Sequence, residues 1–541
     1  MPSRGDGSLH SGAYKKGHNR GSATQKIHRN DISVNQYPQH SVAWFETGRY
    51  WRIEEDVYLR LSMDMSEVSV QELPRPARYL SGVSASASTP SAHISPSPSA
   101  SSSQDKALRI ENIKNVFAQP YPRISRGTNS ITCSRFREKY DFVESNNTVD
   151  EDIVVVHGRV QSARLAGSKL MFFDILHEGC KLQVLCNKRL LEAQGIDGPK
   201  FRQFYHALRR GDSFSITGKP HRTGRGELSL LATELPKLLS PCLNTIPIWN
   251  NENEDTLYDR HVELLASPSA ADVLRARSTI IQTIRQFFLD QSFMEVNTPI
   301  LASAAGGAVA RPFKTHATEF PEETLSLRIA PELWLKRLIV SGFDKVFEIG
   351  PSFRNEGIDK THNPEFTTCE FYQAFADLDT LMSMTEELFR KISRQIANLN
   401  ETVGNSLTPT TPQCVGPTFI MNHPECLSPL SKSFTHSENG QKVSARAELF
   451  IENREVVNLY EEENSPTEQR KKFQRQLDTK DSENATGSMD EKYLEVLEWG
   501  LPPTGGWGCG IERLTMLFTG AKRIDDVMSF GNLRSVTKAS K

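Results

Sequence analysis

Residue types able to do chemistry are concentrated in three stretches of the second half of the chain. In the first, Phe353-Arg354-Asn355-Glu356-Gly357 is followed by a short loop, then His362-Asn363-Pro364-Glu365-Phe366-Thr367, then Glu370-Phe371-Tyr372. Two strands around such a loop would turn Arg354 and Glu370 into one cleft, because alternate residues of a strand share a face. A guanidinium there can fork onto a phosphate or a carboxylate, and the Phe366 ring can stack on a purine. The same two residues could equally form an ion pair knitting two strands. In the second stretch Glu448 precedes Glu455 by seven positions, and Asn458-Leu459-Tyr460-Glu461-Glu462 follows directly. Paired carboxylates facing a triphosphate suit Mg²⁺, which takes hard oxygen ligands and keeps several waters; two glutamates in a charged stretch can also be merely solvated. The third, Gly505-Gly506-Trp507-Gly508-Cys509-Gly510-Ile511-Glu512-Arg513, reads as a glycine-rich turn opening a helix, where backbone can approach a ligand closely.

The elements that must position these residues fall into two groups. Around 130–245 the pattern is strand-like. Val154 to Val160, Leu170 to Ile175, Leu182 to Leu185, Ser213 to Gly218 and Glu227 to Leu230 are short β-rich runs, with a helix-compatible stretch near 199–209. Such a series suits a five-stranded small barrel. Barrels of this kind bind single-stranded nucleic acid by stacking bases on aromatics in a basic groove, and Arg159, Arg164, Lys169, Phe172 and Phe173 carry that chemistry. From about 258 onward, Val273, Ile280, Ile281, Ile284, Phe287 and Phe288 recur at helical spacing. An extended run from Phe293 to Pro299 follows, and then irregularly alternating helices and strands that predict an antiparallel sheet flanked by helices. The stretch 396–440 lacks periodicity and reads as an insertion or long connection.

The chain has 541 residues, and single cores stop growing at roughly 250–300 residues, so more than one domain is expected. Lys and Arg number 64 against 66 Asp and Glu, so any nucleic-acid surface must be a local patch. No run approaches the ~18 apolar residues of a membrane span. The eight cysteines, at 133, 180, 186, 242, 369, 414, 426 and 509, form no C-x-x-C pair, so neither structural zinc nor a disulfide framework is expected and a reducing intracellular compartment fits. Residues 81–103 hold 11 serines in 23 positions, too little apolar surface to offset chain entropy. Residues 1–30 carry six Lys/Arg against Asp6 alone, the composition of an organellar transit peptide or of an ordinary disordered tail.

Together the three stretches resemble the signature motifs of class II aminoacyl-tRNA synthetases in order, spacing and residue type, from about 130 to 535. The likeness is greatest to the lysyl-tRNA synthetase family. It is carried by Gly306 to Phe313 (Gly-Gly-Ala-Val-Ala-Arg-Pro-Phe), Leu327 to Leu333 (Leu-Arg-Ile-Ala-Pro-Glu-Leu), Phe353 through Tyr372, Asn422-His423-Pro424, and Ser428 to Lys432. It implies an α+β architecture in which a class II antiparallel sheet with flanking helices is preceded by an all-β OB-fold barrel. The expected layout is a disordered or targeting extension at 1–105, a linker at 106–130, the barrel at 131–245 and the catalytic domain at 258–535. ATP would be a substrate with Mg²⁺, L-lysine and tRNA(Lys) the other partners, and a homodimer the assembly, with no membrane.

The resemblance also implies roles. Arg354 would contact the α-phosphate of ATP and the lysine carboxylate; Glu356 and His362 belong to the loop over ATP, Phe366 stacks on adenine, and Arg513 holds the γ-phosphate. Glu448 and Glu455 would bind Mg²⁺. Glu332 would take the α-ammonium of lysine and Glu370 with Glu462 its ε-ammonium, with Tyr372, Asn458 and Tyr460 lining the pocket and Gly508 in its floor. A substrate with two ammonium groups needs an acid at each end, since a buried ammonium is tolerated only when paired. On the barrel, Phe172 would stack an anticodon base and Gln183, Glu227 and Arg164 would read its neighbours. A sister enzyme for aspartate or asparagine would need a cationic or neutral pocket, which Glu370 and Glu462 oppose. A tRNA-binding paralogue without catalysis would lose an ATP arginine or a magnesium carboxylate, and a lysine transferase acting on protein would lack the barrel. Trp507 and Cys509 within the glycine run, and residues 1–105, which lack a Lys-rich helix, point to the mitochondrial matrix, with the cytoplasm as alternative.

Overall fold

A computed structural model describes residues 41–46, 49–54, 59–61, 103–124, 130–248, 259–303, 306–308, 310–403, 417–437, 440–452, 454–479 and 489–533. The extension expected at 1–105 falls mostly outside them. Within it, Ser41–Glu46 and Arg49–Glu54 pair as an antiparallel hairpin, and Leu59–Leu61 adds to the edge of the large sheet described below.

The first domain opens with helices α1 (Ser103–Val116) and α2 (Cys133–Tyr140), the latter capped by Thr132, whose hydroxyl accepts from the Arg135 amide. Strands β1 (Val154–Ala166), β2 (Leu170–His177) and β3 (Cys180–Asn187) then form an antiparallel meander. Helix α3 (Gly198–Ala207) intervenes before β4 (Ser213–Arg222) and β5 (Leu228–Ala232). β5 pairs in parallel with β3 and antiparallel with β4, and β4 returns to β1, which closes a five-stranded barrel. Strand alternation fills it: along β2, Met171, Phe173 and Ile175 are buried while Phe172 and Asp174 face out. Gly218 permits the closure, since a Cβ there would sit 2.5 Å from the Leu231 carbonyl oxygen.

The stretch expected as a linker, 106–130, instead begins inside α1. Ile113 and Phe117 join the barrel core, and Arg109 donates to Asp212 Oδ2 at 2.7 Å and to the Ala207 carbonyl at 2.6 Å.

The second domain is built on one sheet. Its elements are α4 (Pro268–Asp290), β6 (Met294–Glu295), α5 (Glu332–Val340), β7 (Lys345–Phe353), β8 (Glu365–Ala374) and α6 (Leu378–Val403). They continue with β9 (Thr418–Met421), β10 (Arg446–Ile451), β11 (Arg454–Glu461), α7 (Pro466–Thr479), α8 (Glu491–Glu498), β12 (Thr504–Gly510) and α9 (Ile511–Thr519). The strand order is β6-β7-β8-β12-β11-β10-β9, antiparallel except where β6 meets β7. Odd-numbered residues of the central strands, Phe347, Phe371 and Trp507, pack against α4 through Phe287 and Phe288. The opposite face, overhung by α5, is where the polar residues point.

Two expectations change here. The glycine-rich run read as a turn is a central strand, β12. The stretch 396–440 is in part framework, since it ends α6 and supplies β9, whose Phe419 is fully buried.

Candidate active site

Strand register alone assembles the site. On the polar face one row runs Glu348, Glu370, Gly508, Asn458 and Glu448 across β7, β8, β12, β11 and β10. The next row runs Val346, Tyr372, Gly506, Tyr460 and Arg446. The middle strand contributes only hydrogen at both levels, which hollows the sheet surface. Above it lies a cavity of about 530 Å³ lined by Glu332, Arg354, Glu356, His362, Phe366, Glu370, Tyr372, Glu448, Glu455, Asn458, Tyr460, Gly508 and Arg513. Every residue singled out in the catalytic half of the sequence therefore lines one cavity, with one exception. Glu462, just beyond β11, is 1% exposed and does not reach the open cavity. Its Oε1 lies 2.0 Å from where a Cβ on Gly506 would be, so the glycine is what admits it over β12 on the polar face.

At one end the groups suit a nucleotide. The Arg354 guanidinium lies 5.1 Å from the Phe366 ring centroid, and its Nε has no partner among the described residues. Burial lowers its basicity, which the surrounding glutamates partly restore. Arg513 reaches His362 Nε2 at 2.9 Å and the Glu455 carbonyl at 3.3 Å. The loop between β7 and β8 is tied by Asp359, which accepts from the amides of Thr361 and His362 at 2.6 and 2.8 Å. Beneath, Glu512 accepts from Arg277 at 2.8 Å and from the Thr367 amide at 3.0 Å, pinning α9 to β8. Glu448 is paired with Arg446. The Glu455 carboxyl is raised by its partly desolvated site and then by the Glu448 charge. Among the described residues no three His, Cys, Asp or Glu side chains converge as a metal cluster. Glu448 and Glu455 both line the cavity, and two such carboxylates, once drawn from Arg446 and Arg513, fit a divalent ion that takes its remaining oxygens from phosphate and water.

At the other end the groups are acidic. Burial, and then the charge of Glu332, push the Glu370 carboxyl up to about 8 against the pull of Arg354; the Tyr372 hydroxyl donates to it at 3.3 Å. Two cations that the sequence reading missed stand among these acids. Lys336, wholly buried, places its ammonium 2.6 Å from Glu332 Oε1 and in contact with Glu462 Oε2. Although burial works against it, these carboxylates hold it charged well above the usual lysine range. Arg446 bonds Asn458 Oδ1 at 3.1 Å and lies 5.3 Å from the Tyr460 ring. Glu332 and Lys336 are four apart in sequence, and Arg446 and Glu448 two apart; both spacings were visible, but spacing alone does not distinguish such pairs from ordinary surface ones.

On the barrel, Arg164 stands opposite Phe172 in the register, its guanidinium 5.1 Å from the ring, and both face outward. Gln183, on the neighbouring strand β3 and on the same face as Phe172, accepts from Ser229 at 3.0 Å, and Glu227 immediately precedes β5. Arg159 and Lys169 are exposed. Phe173, grouped with Phe172 as a stacking aromatic, is instead 1% exposed inside the barrel, because adjacent strand residues take opposite faces.

Sheet, cleft and barrel define a class, and the comparisons agree. Residues 252–414 and 407–534 match the model of the class II tRNA synthetases (D, K and N), and 154–238 match that of an OB-fold nucleic acid binding domain. The chain is 38% identical over 489 residues to the mitochondrial lysine–tRNA ligase of Schizosaccharomyces pombe, covering 77% of this chain and 91% of the relative. It is 34% identical to lysine–tRNA ligase cla4 of Cladosporium cladosporioides (78% and 82% covered) and 32% identical to the lysine–tRNA ligase of a Thermotoga strain (79% and 95%). The chain belongs to the lysine–tRNA ligase family of the class II synthetases.

Proposed function

We propose that the protein activates L-lysine with ATP and transfers it to tRNA(Lys). The observation that carries this reading is the presence of Glu332 and Glu370 at one end of a cleft, with Glu462 buried behind them against Lys336, and of Arg354 and Arg513 at the other end. Three acids gathered at that end suit an amino acid with two ammonium groups and suit neither aspartate nor asparagine.

Phe366 stacks the adenine, Arg354 takes the α-phosphate and the lysine carboxylate, Arg513 the γ-phosphate, and Glu356 with His362 covers the nucleotide. Glu448 and Glu455 hold Mg²⁺, which neutralises phosphate charge when bound. Glu332 receives the α-ammonium and Glu370 with Glu462 the ε-ammonium; Tyr372, Asn458, Tyr460 and Gly508 shape the space between. An oxygen of the lysine carboxylate attacks the α-phosphorus in line, the bond to the β-phosphate breaks, and pyrophosphate leaves. The terminal 3′ hydroxyl of tRNA then attacks the acyl carbon of the adenylate and AMP departs. No side chain acts as nucleophile; the residues act by positioning and by charge.

Phe172, Arg164, Gln183 and Glu227 form the anticodon-reading face. The exposed apolar residues Leu289, Met294, Ile300 and Leu301, at and beyond the end of α4, support a homodimer interface there. The basic start of the chain and the mitochondrial relative support the mitochondrial matrix.

ATP–pyrophosphate exchange measured separately with lysine, aspartate and asparagine tests the central reading. Exchange with lysine alone is expected, and exchange with either of the others in its place would overturn it. A reporter carrying residues 1–105 tests the compartment: mitochondrial signal is expected, and diffuse cytosolic signal counts against it.

A further inference from the structure

Lys336 has no place in the scheme above, yet it is the most enclosed charge in the site. Its ammonium touches Glu332 and Glu462, and lies 5.8 Å from the Tyr372 ring and 5.9 Å from the Tyr493 ring. Two carboxylates and two aromatic faces make an ammonium cage, and here the protein's own side chain fills it. Glu462 Oε1, the oxygen turned toward Gly506 and Tyr372, has no hydrogen-bond partner among the described residues.

Counting charges shows what the lysine does. Glu332, Glu370 and Glu462 with Lys336 leave two negative charges for the two ammonium groups of the substrate, and Arg354 remains for its carboxylate. Without Lys336 a third negative charge would stay buried and unmatched, which a protein interior tolerates only by taking up a proton. A proton on Glu332 or Glu462 removes the acceptor that an incoming ammonium needs. The remaining charged or titratable groups facing this cluster are Tyr460 and Arg446 from the sheet, Glu348, itself paired with Arg328, and Glu463, itself paired with Lys472.

We propose that Lys336 is a positioning and specificity-determining residue of the substrate pocket: it clamps Glu332 and Glu462 in place and sets the pocket charge to match a dicationic amino acid, leaving Glu462 Oε1 for the substrate ε-ammonium. This rests on the lysine-activating reading.

The test is ATP–pyrophosphate exchange by the full chain with Lys336→Met and Lys336→Arg, at several pH values. For Lys336→Met the lysine KM rises at least tenfold with the ATP KM unchanged. Its fall with pH between 6 and 8, to which Glu370 and Glu462, both pushed up to about 8, already contribute in the parent, steepens by about one further proton. Lys336→Arg, which keeps the charge, retains a lysine KM within a few-fold and the parental pH slope. A folded Lys336→Met with the parental lysine KM and slope overturns the proposal, as does Lys336→Arg matching the methionine variant in loss. Should Lys336→Met fail to fold, ¹⁵Nζ-lysine NMR of the unaltered protein decides. A protected ammonium resonance, assigned by its loss in Lys336→Arg, shifts on adding lysinol if the proposal holds; a resonance that saturating lysinol leaves unmoved overturns it. Absence of lysine-dependent exchange in the unaltered protein would instead sink the underlying reading.

Discussion

The cleft and the barrel are both framed by β-strands, yet they put charge in opposite places. The barrel interior is apolar, with Val156, Met171, Phe173, Phe214 and Leu230 at its centre, and its basic residues Arg159, Arg164 and Lys169 lie in solvent. The cleft buries Glu332, Lys336, Glu370, Arg446, Glu448 and Glu462 at 8% exposure or less. An ion removed from water carries a penalty of several kcal/mol unless it is matched, so a buried charge has few alternative uses. An exposed arginine has many. The cleft thus states its ligand more narrowly than the barrel does, and substitutions in the two regions should differ in size and in the step they affect.

The largest effect is expected from Glu370→Gln. Removing one partner of a buried charge pair costs about 3–5 kcal/mol, so kcat/KM for lysine in pyrophosphate exchange falls about a hundred-fold or more while ATP binding is largely kept. Normal exchange would break the assignment of the acidic end. Phe172→Ala comes next: losing one stacked base costs about 1–3 kcal/mol, so tRNA charging drops while adenylate formation is spared. Equal loss of both steps would erase the division of labour between barrel and cleft. Arg164→Ala removes an exposed cation–π contact of about 0.5–1 kcal/mol and should lower charging only a few-fold.

A fourth effect is on stability. The Glu370 carboxyl titrates near 8 in the folded chain against an ordinary 4.5. Between those values the folded form holds a proton that the unfolded form has released, so this group's contribution to stability is lost as pH rises through the window. Thermal unfolding should show that decline in the parent and a flatter profile in Glu370→Gln; identical profiles would place Glu370 in a wetter setting.

Legibility in the sequence followed the same divide. Arg354, Phe366, Glu370 and Tyr372 could be placed in one cleft because strand parity is strict and a loop between two strands brings their faces together. Parity could not say which of Phe172 and Phe173 faced in, since two adjacent aromatics satisfy either register. Lys336 was hidden because a Glu–Lys pair four apart on a helix looks like a solvated surface pair; only the packing of α5 onto the sheet encloses it. The glycine run looked like a turn because strand pairing on both sides is a tertiary fact. Helix α1 escaped notice beside a serine-rich segment, its few apolar residues meeting the barrel through Ile113 and Val116, with Phe117 just beyond its end.

That helix also limits how the chain can be trimmed. Arg109 supplies the guanidinium that Asp212 meets inside the barrel, where the aspartate is fully buried and its other donors are the amides of Arg209 and Cys242. Any truncation from the front of this polypeptide that is to keep the barrel intact must therefore stop short of Arg109. A cut a dozen residues later would leave an orphan anion beneath the RNA-facing module, and the truncated product would be expected to unravel there first.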